Sequence, residues 1–236
     1  MSWKALIAAF ACAAFAASAA AAPHPVVHRA SPAARDWSRM VAATPEGGFR
    51  MGNPQAKVKL VEYGSLGCPH CAHFEAEGAR PLIDKYIKSG RVSWEYRSYL
   101  IFPTDPAVSM LLYCRPASSF FPLIQSLYAT QGQWIGRLRA LPRERIARLQ
   151  GMSIPARNAF LIHASALDAF FRRHGMSDAA IHSCLASPAG LERIMAVTER
   201  GNREGVPGTP SFFINGTLTG ADDWTKLEPL ISQAGG

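Results

Sequence analysis

A chain of 236 residues with 48% hydrophobic and 18% charged residues is long enough to bury a core and reads as globular, either one large domain or one domain carrying an insertion. Its 25 Lys and Arg against 17 Asp and Glu leave a net charge of +8. That modest excess suits solubility, or contact with anionic surfaces and unfolded chains. It does not point to nucleic acid: the one basic run, Arg137–Arg148, is short, lacks interleaved aromatics, and reads as a solvated helix face.

The first residues, MSWKALIAAFACAAFAASAAAAPHP, set one cation, Lys4, before an Ala-rich apolar stretch that ends in Ala20, Ala21, Ala22 and Pro23. This predicts a secretory signal over 1–22, cleaved at an Ala-x-Ala site. A membrane anchor is the rival, since Ala5–Ala22 is nearly long enough to span a bilayer, but Ala is weakly hydrophobic. Cys12 lies inside the signal without the Leu usual before a lipidated cysteine, and is set aside. Four cysteines remain, Cys68, Cys71, Cys114 and Cys184. In an exported protein an even number suits two bridges, and three pairings are possible on paper. The close pair can bridge itself, which leaves Cys114 with Cys184; two separate buried thiols are the alternative. The C-terminal SQAGG carries no retention signal, so the expected compartment is a bacterial periplasm rather than an endoplasmic reticulum.

Residues 23–48, rich in Ala, Pro and Ser, read as a tether with one short helical stretch near Trp37–Val41. KVKLVEY, Lys57–Tyr63, reads as a strand. A helical pattern follows from Pro69 to Lys88 and stops at Ser89-Gly90. RVSWEYRSYLI, Arg91–Ile101, alternates as a second strand should. Helical periodicity then fills 106–200, where Phe120, Phe121, Tyr128, Trp134, Phe160, Phe170 and Phe171 are expected mostly in the core. Strand signals return at SFFINGTLTG, with Asn215-Gly216 as a two-residue hairpin turn, and an Asp-capped helix closes the chain. The simplest arrangement is a β-α-β half (49–105) and a β-β-α half (201–236) of one sheet, separated by a helical insertion (106–200).

The stretch GCPHC, Gly67–Cys71, carries the chemistry. With the strand ending near Ser65, Cys68 falls at the helix N-cap and Pro69 at the first helical position, which proline favours. The Cys68 sulfur then faces unpaired backbone N–H groups and the positive end of the helix dipole, both of which favour a thiolate. His70 adds a positive charge or a donated hydrogen bond. Cys68 is expected to take the attack of an incoming thiolate, and the more buried Cys71 to resolve the mixed disulfide.

CPHC after a strand, together with GVPGTPSFFING near the C-terminus, resembles the DsbA-type thiol:disulfide oxidoreductases of the thioredoxin fold. GNPQAKVKLVEYGSLGCPHCAHF is similar to the branch with a thioredoxin_4-type domain. The resemblance runs from about Gly47 to the end and implies an α/β thioredoxin fold, a central mixed sheet with a helical insertion. It further implies a cis proline at Thr209-Pro210 opposite the cysteines, and a buried acid six positions before the first cysteine. That acid is Glu62, expected to accept the proton of Cys71. The implied partners are secreted proteins with free thiols and a membrane quinone-linked protein that reoxidises the pair; no cofactor and no metal are implied.

Other readings remain open at this level. A reductase or isomerase would use the same cysteines, although 23–48 is too short for the dimerisation domain that isomerases of this kind usually carry. A chaperone or metal-binding module would use no redox turnover. Cys-x-x-Cys is shared with zinc sites, and His70 and His73 offer nitrogen ligands, but no second cluster completes a tetrahedron. Covalent haem is excluded because Ala72, not His, follows Cys71.

Overall fold

The computed structural model describes residues 35–236; the expected signal over 1–22 and the first part of the expected tether lie outside them. A six-stranded sheet runs in the order β1-β2-β4-β3-β5-β6. Its strands are β1 (Val41–Ala43), β2 (Phe49–Gly52), β3 (Val58–Gly64), β4 (Val92–Ser98), β5 (Ser211–Ile214) and β6 (Thr217–Leu218). Only β3 and β4 are parallel neighbours, and the other pairings are antiparallel. Parallel neighbours need a crossover, which the helix after the cysteines supplies. That helix begins as α1 (Pro69–Phe74) and continues through two π-helical stretches, Glu75–Ala79 and Leu82–Ile87, before Gly90 ends it with φ +81°.

Two expectations are corrected here. Val41–Ala43 is the edge strand beside Phe49–Gly52, so the tether reading fails for the end of 23–48: Thr44 Oγ1 donates to the buried Glu95 at 2.6 Å and pins this segment to β4. The insertion comprises α2 (Asp105–Tyr113), α3 (Phe120–Ala129), α4 (Gln131–Arg139), α5 (Arg143–Ala147), α6 (Ile154–Ala164), α7 (Leu167–Arg173), α8 (Asp178–Leu185) and α9 (Pro188–Arg203). Its last helix packs against α2 and also lies on the sheet, so the boundary at 200 cuts a helix that serves both parts: Val197 packs with Tyr63, Val206 and Phe213.

The sheet is therefore covered on both faces, and every residue of β4 is buried. On one face Trp94, Phe74 and Phe212 meet α3 through Phe121, with the Trp94 and Phe121 rings 4.8 Å apart. Of the aromatics expected in the core, only Phe160 is half-exposed, under the Arg145 guanidinium at 5.2 Å. The Asn215-Gly216 turn has both residues at positive φ, +51° and +86°, as a type I′ hairpin requires. Asp223 caps α10 (Trp224–Gln233) by accepting from the Lys226 N–H at 2.9 Å. Among the described residues no helix is long and apolar enough to cross a membrane.

Candidate active site

β3 delivers the chain to the C-terminal edge of the sheet at Gly64, and the loop Ser65–Gly67 turns it into α1. Cys68 is the N-cap, with extended φ and ψ of −81° and 124°, and Pro69 opens the helix. Cys71, one turn on, is 0% exposed, whereas Cys68 is 6% exposed and donates through its thiol to the Thr209 carbonyl at 3.2 Å. The Thr209-Pro210 bond is cis, which sets that carbonyl against the cysteine. The pair is reduced in this structure.

The two thiols are driven apart in acidity. Cys68 is lowered to about 5, first by a hydrogen bond from the Cys71 thiol. Burial opposes the shift, while the Thr209 side chain and the backbone N–H groups of Cys71 and His70 reinforce it. The Thr209 hydroxyl is buried and has no hydrogen-bond partner among the described residues, the Cys68 thiol being bonded to the Thr209 carbonyl. Cys71 is pushed well up by burial, then by its hydrogen bond to Cys68 and the negative charge of Glu62. The His70 ring is exposed, so in this arrangement the residue acts through its backbone N–H.

Glu62 lies beneath the pair, 1% exposed, and accepts from Trp94 Nε1 at 3.0 Å. Burial pushes its carboxyl well above the usual carboxylate range, and the charge of Glu75 adds to that. Glu75, one turn beyond Cys71, is itself raised to about 7 by burial. It lines a cavity of about 470 Å³ together with Gln125 and Tyr128. Glu62, raised well above the carboxylate range, and Glu75, raised to about 7, can thus each take up or release a proton below the cysteines.

Three side chains hold the loop in place: Asp105 and Gln131, which the sequence did not single out, and Tyr128, expected only as a core aromatic. Buried Asp105, at the start of α2, accepts from Ser65 Oγ at 2.7 Å and from the N–H groups of Gly67, Ile101 and Phe102 at 2.9, 2.9 and 2.8 Å. Tyr128 on α3 donates to the Ser65 carbonyl at 3.0 Å. Gln131 on α4 donates to the carbonyls of Leu66 and Cys68 at 2.8 and 2.9 Å. The insertion thus takes the negative ends of the loop's peptide dipoles and leaves N–H groups to the sulfur. A polar residue at a helix start was the only local signal for Asp105, and it is shared by many helices.

Away from this site, Cys114 at the end of α2 and Cys184 on α8 are joined by a disulfide. Among the described residues no group of three or more His, Cys, Asp or Glu is arranged to hold a metal ion.

Comparisons with known proteins follow the same lines. A putative protein-disulfide oxidoreductase of Rickettsia felis is 26% identical over 188 residues, which cover 78% of this chain and 59% of that protein. The chain thus spans under two thirds of that relative's length. The crystal structure of a protein-disulfide isomerase from Novosphingobium aromaticivorans superposes with a TM-score of 0.76 at 32% identity, covering 80% of this chain and 98% of that one. Wolbachia pipientis alpha-DsbA1, at 18% identity and a TM-score of 0.62, shares the fold over 78% of this chain and 89% of its own. The family model Thioredoxin_4, described as thioredoxin, matches residues 44–233. That span holds the sheet from β2 to β6, Cys68 and Cys71, the cis proline and the insertion, and the chain belongs to this family of thioredoxin-fold proteins.

Proposed function

We propose that this protein is an exported thiol:disulfide oxidoreductase that donates its Cys68–Cys71 disulfide to folding secreted proteins. The observation that carries the reading is the divergence of the two thiols, Cys68 at about 5 and Cys71 pushed far up. A substrate thiolate attacks Cys68 Sγ of the oxidised pair; the Cys68–Cys71 bond breaks, and Cys71 leaves with the electron pair and takes a proton from Glu62. A second substrate thiolate attacks the substrate sulfur of the mixed disulfide, and Cys68 departs as a stable thiolate. The substrate dithiol loses two electrons to the pair and its two protons to solvent; the pair gains both electrons but only one proton, the one Glu62 passes to Cys71, and Glu62 is reprotonated from solvent while Cys68 stays a thiolate. A membrane quinone-linked protein is the proposed oxidant that takes the two electrons back. Thr209 and Pro210 shape the surface on which the incoming chain meets Cys68. Export to the periplasm rests on the segment 1–22 and on the Cys114–Cys184 bridge, a linkage that persists in oxidising compartments.

Equilibration in graded glutathione buffers tests the direction. A thiol at about 5 lies between those of thioredoxin (about 7, −270 mV) and DsbA (about 3.5, −120 mV), and at about 30 mV per pKa unit the expected potential is about −210 mV or higher. A value near −270 mV overturns donation and makes the protein a reductase. The Novosphingobium neighbour's name favours isomerisation as a second reading. Recovery of activity from a scrambled-disulfide substrate by the reduced protein separates the two.

A further inference from the structure

β4 and β5 flank β3 on opposite sides, so the turn after β4 and the Thr209-Pro210 turn lie on opposite sides of Cys68. On the β4 side an apolar groove of about 350 Å³ runs between the thioredoxin-like sheet and the insertion. Its lining includes Phe102, Leu138, Leu141, Ile146, Leu149 and Leu161, and Gly67 forms the end next to Cys68. Phe102 is 38% and Ile146 47% exposed, so the groove is open to solvent along its wall. Gly67 allows the close approach of the groove wall: a Cβ there would come within 2.7 Å of the Phe102 ring.

The groove has a charged rim. Arg139 lines it directly. Arg137, Arg143, Arg145 and Arg148 are exposed nearby, and Glu144 is the one acid within Arg137–Arg148. The basic run that reads as a solvated face therefore borders a cavity whose lining reaches Gly67, the residue before Cys68.

We propose that this groove holds the stretch of an incoming polypeptide beside its reacting cysteine, and that it selects bulky apolar residues flanked by Asp or Glu. The proposal rests on the disulfide-exchange reading and names the substrate class for the same site. Gly67 adjoins Cys68, and an extended chain advances about 3.3 Å per residue, so side chains two to four residues from the substrate cysteine reach the groove. The apolar lining takes the bulky side chain out of water, and the arginines attract the acids beyond it. A concave slot of this size suits a peptide segment and not a flat lipid surface.

The test uses the described protein with fluorescent peptides in which an apolar pair lies three residues from the reacting position, followed by Glu-Glu, Ser-Ser or Lys-Lys. Serine at the reacting position gives non-covalent binding by anisotropy, and cysteine gives the rate at which the oxidised protein is reduced. The acidic peptide is expected to bind and react about 10-fold better than the basic one at low salt, with the gap closing as salt rises. Arg139→Glu with Arg145→Glu is expected to remove or reverse the preference, whereas Arg39→Glu, far from the groove, is expected to keep it. Ile146→Ser is expected to weaken all apolar peptides alike. Equal binding and equal rates for the three peptides overturn the groove proposal. Preferential binding without any thiol transfer, glutathione included, instead sinks disulfide exchange and leaves the groove assignment standing.

Discussion

The molecule holds two cysteine pairs in opposite circumstances. Cys68 and Cys71 sit three residues apart at one helix start, with N–H groups, a carbonyl and a buried carboxyl around them. Cys114 and Cys184, 70 residues apart, join two helices of the insertion. Sulfur chemistry is the same in both, so the difference lies in what surrounds it. A disulfide whose reduced form is stabilised is readily given up, while one that closes a long loop and gains nothing on reduction is kept.

Breaking each pair in turn is the strongest test of this contrast. Cys68→Ser is expected to abolish oxidation of a peptide dithiol, by at least about 10³-fold, while the urea midpoint stays near that of the reduced parent. Replacing both Cys114 and Cys184 by Ser is expected to lower unfolding free energy by about 4 kcal/mol, from the loop-closure term for a separation of 70 residues, and to leave the potential of the first pair in place. A shifted potential in that double variant would show that the two pairs are coupled.

A smaller effect should follow from the loop clamp. Asp105→Asn turns an amide NH₂ toward groups that are themselves donors. The expected loss is about 2–4 kcal/mol, with faster hydrogen exchange at Gly67 and Phe102. Exchange at those amides equal to the parent's would remove Asp105 from the site.

The smallest effect is a pH dependence. Glu62 is held neutral in the folded state well above its unfolded value, so the folded state binds an extra proton between those two limits. Its contribution is full below about pH 4.3 and is lost as pH rises, by up to about 1.4 kcal/mol per unit. Glu75, at about 7, adds a second slope that ends near that pH. Glu62→Gln is expected to flatten the alkaline decline in stability and to slow disulfide exchange about 10- to 100-fold, since a positioned proton donor is lost. An unchanged pH profile of the exchange rate would assign the proton of Cys71 to water.

What could be read from the sequence was whatever has a local cause. The Asn215-Gly216 turn, the Gly90 stop, the Asp223 cap and the Pro69 helix start each follow from the backbone needs of one or two residues. Val41–Ala43 and Phe49–Gly52 were not legible as strands because they are short, and the first is Ala-rich with weak strand preference. The roles of Asp105, Tyr128 and Gln131 were invisible for another reason. Their partners in the Ser65–Cys68 loop lie 38 to 65 residues away in the chain, and only the folded insertion brings them together.

That last arrangement bears on how the chemistry could be inherited or transplanted. The tetrapeptide Cys68–Cys71 is held by groups on α2, α3 and α4, and the carbonyls of Ser65, Leu66 and Cys68 are turned toward Tyr128 and Gln131. Moving CPHC into a small thioredoxin-like scaffold without those helices would free the carbonyls to compete for the same N–H donors and swing their dipoles toward the sulfur. The placement of the loop that carries Cys68 is thus a property of two chain segments folded together, and a lineage that trimmed the insertion would lose the groups that hold it.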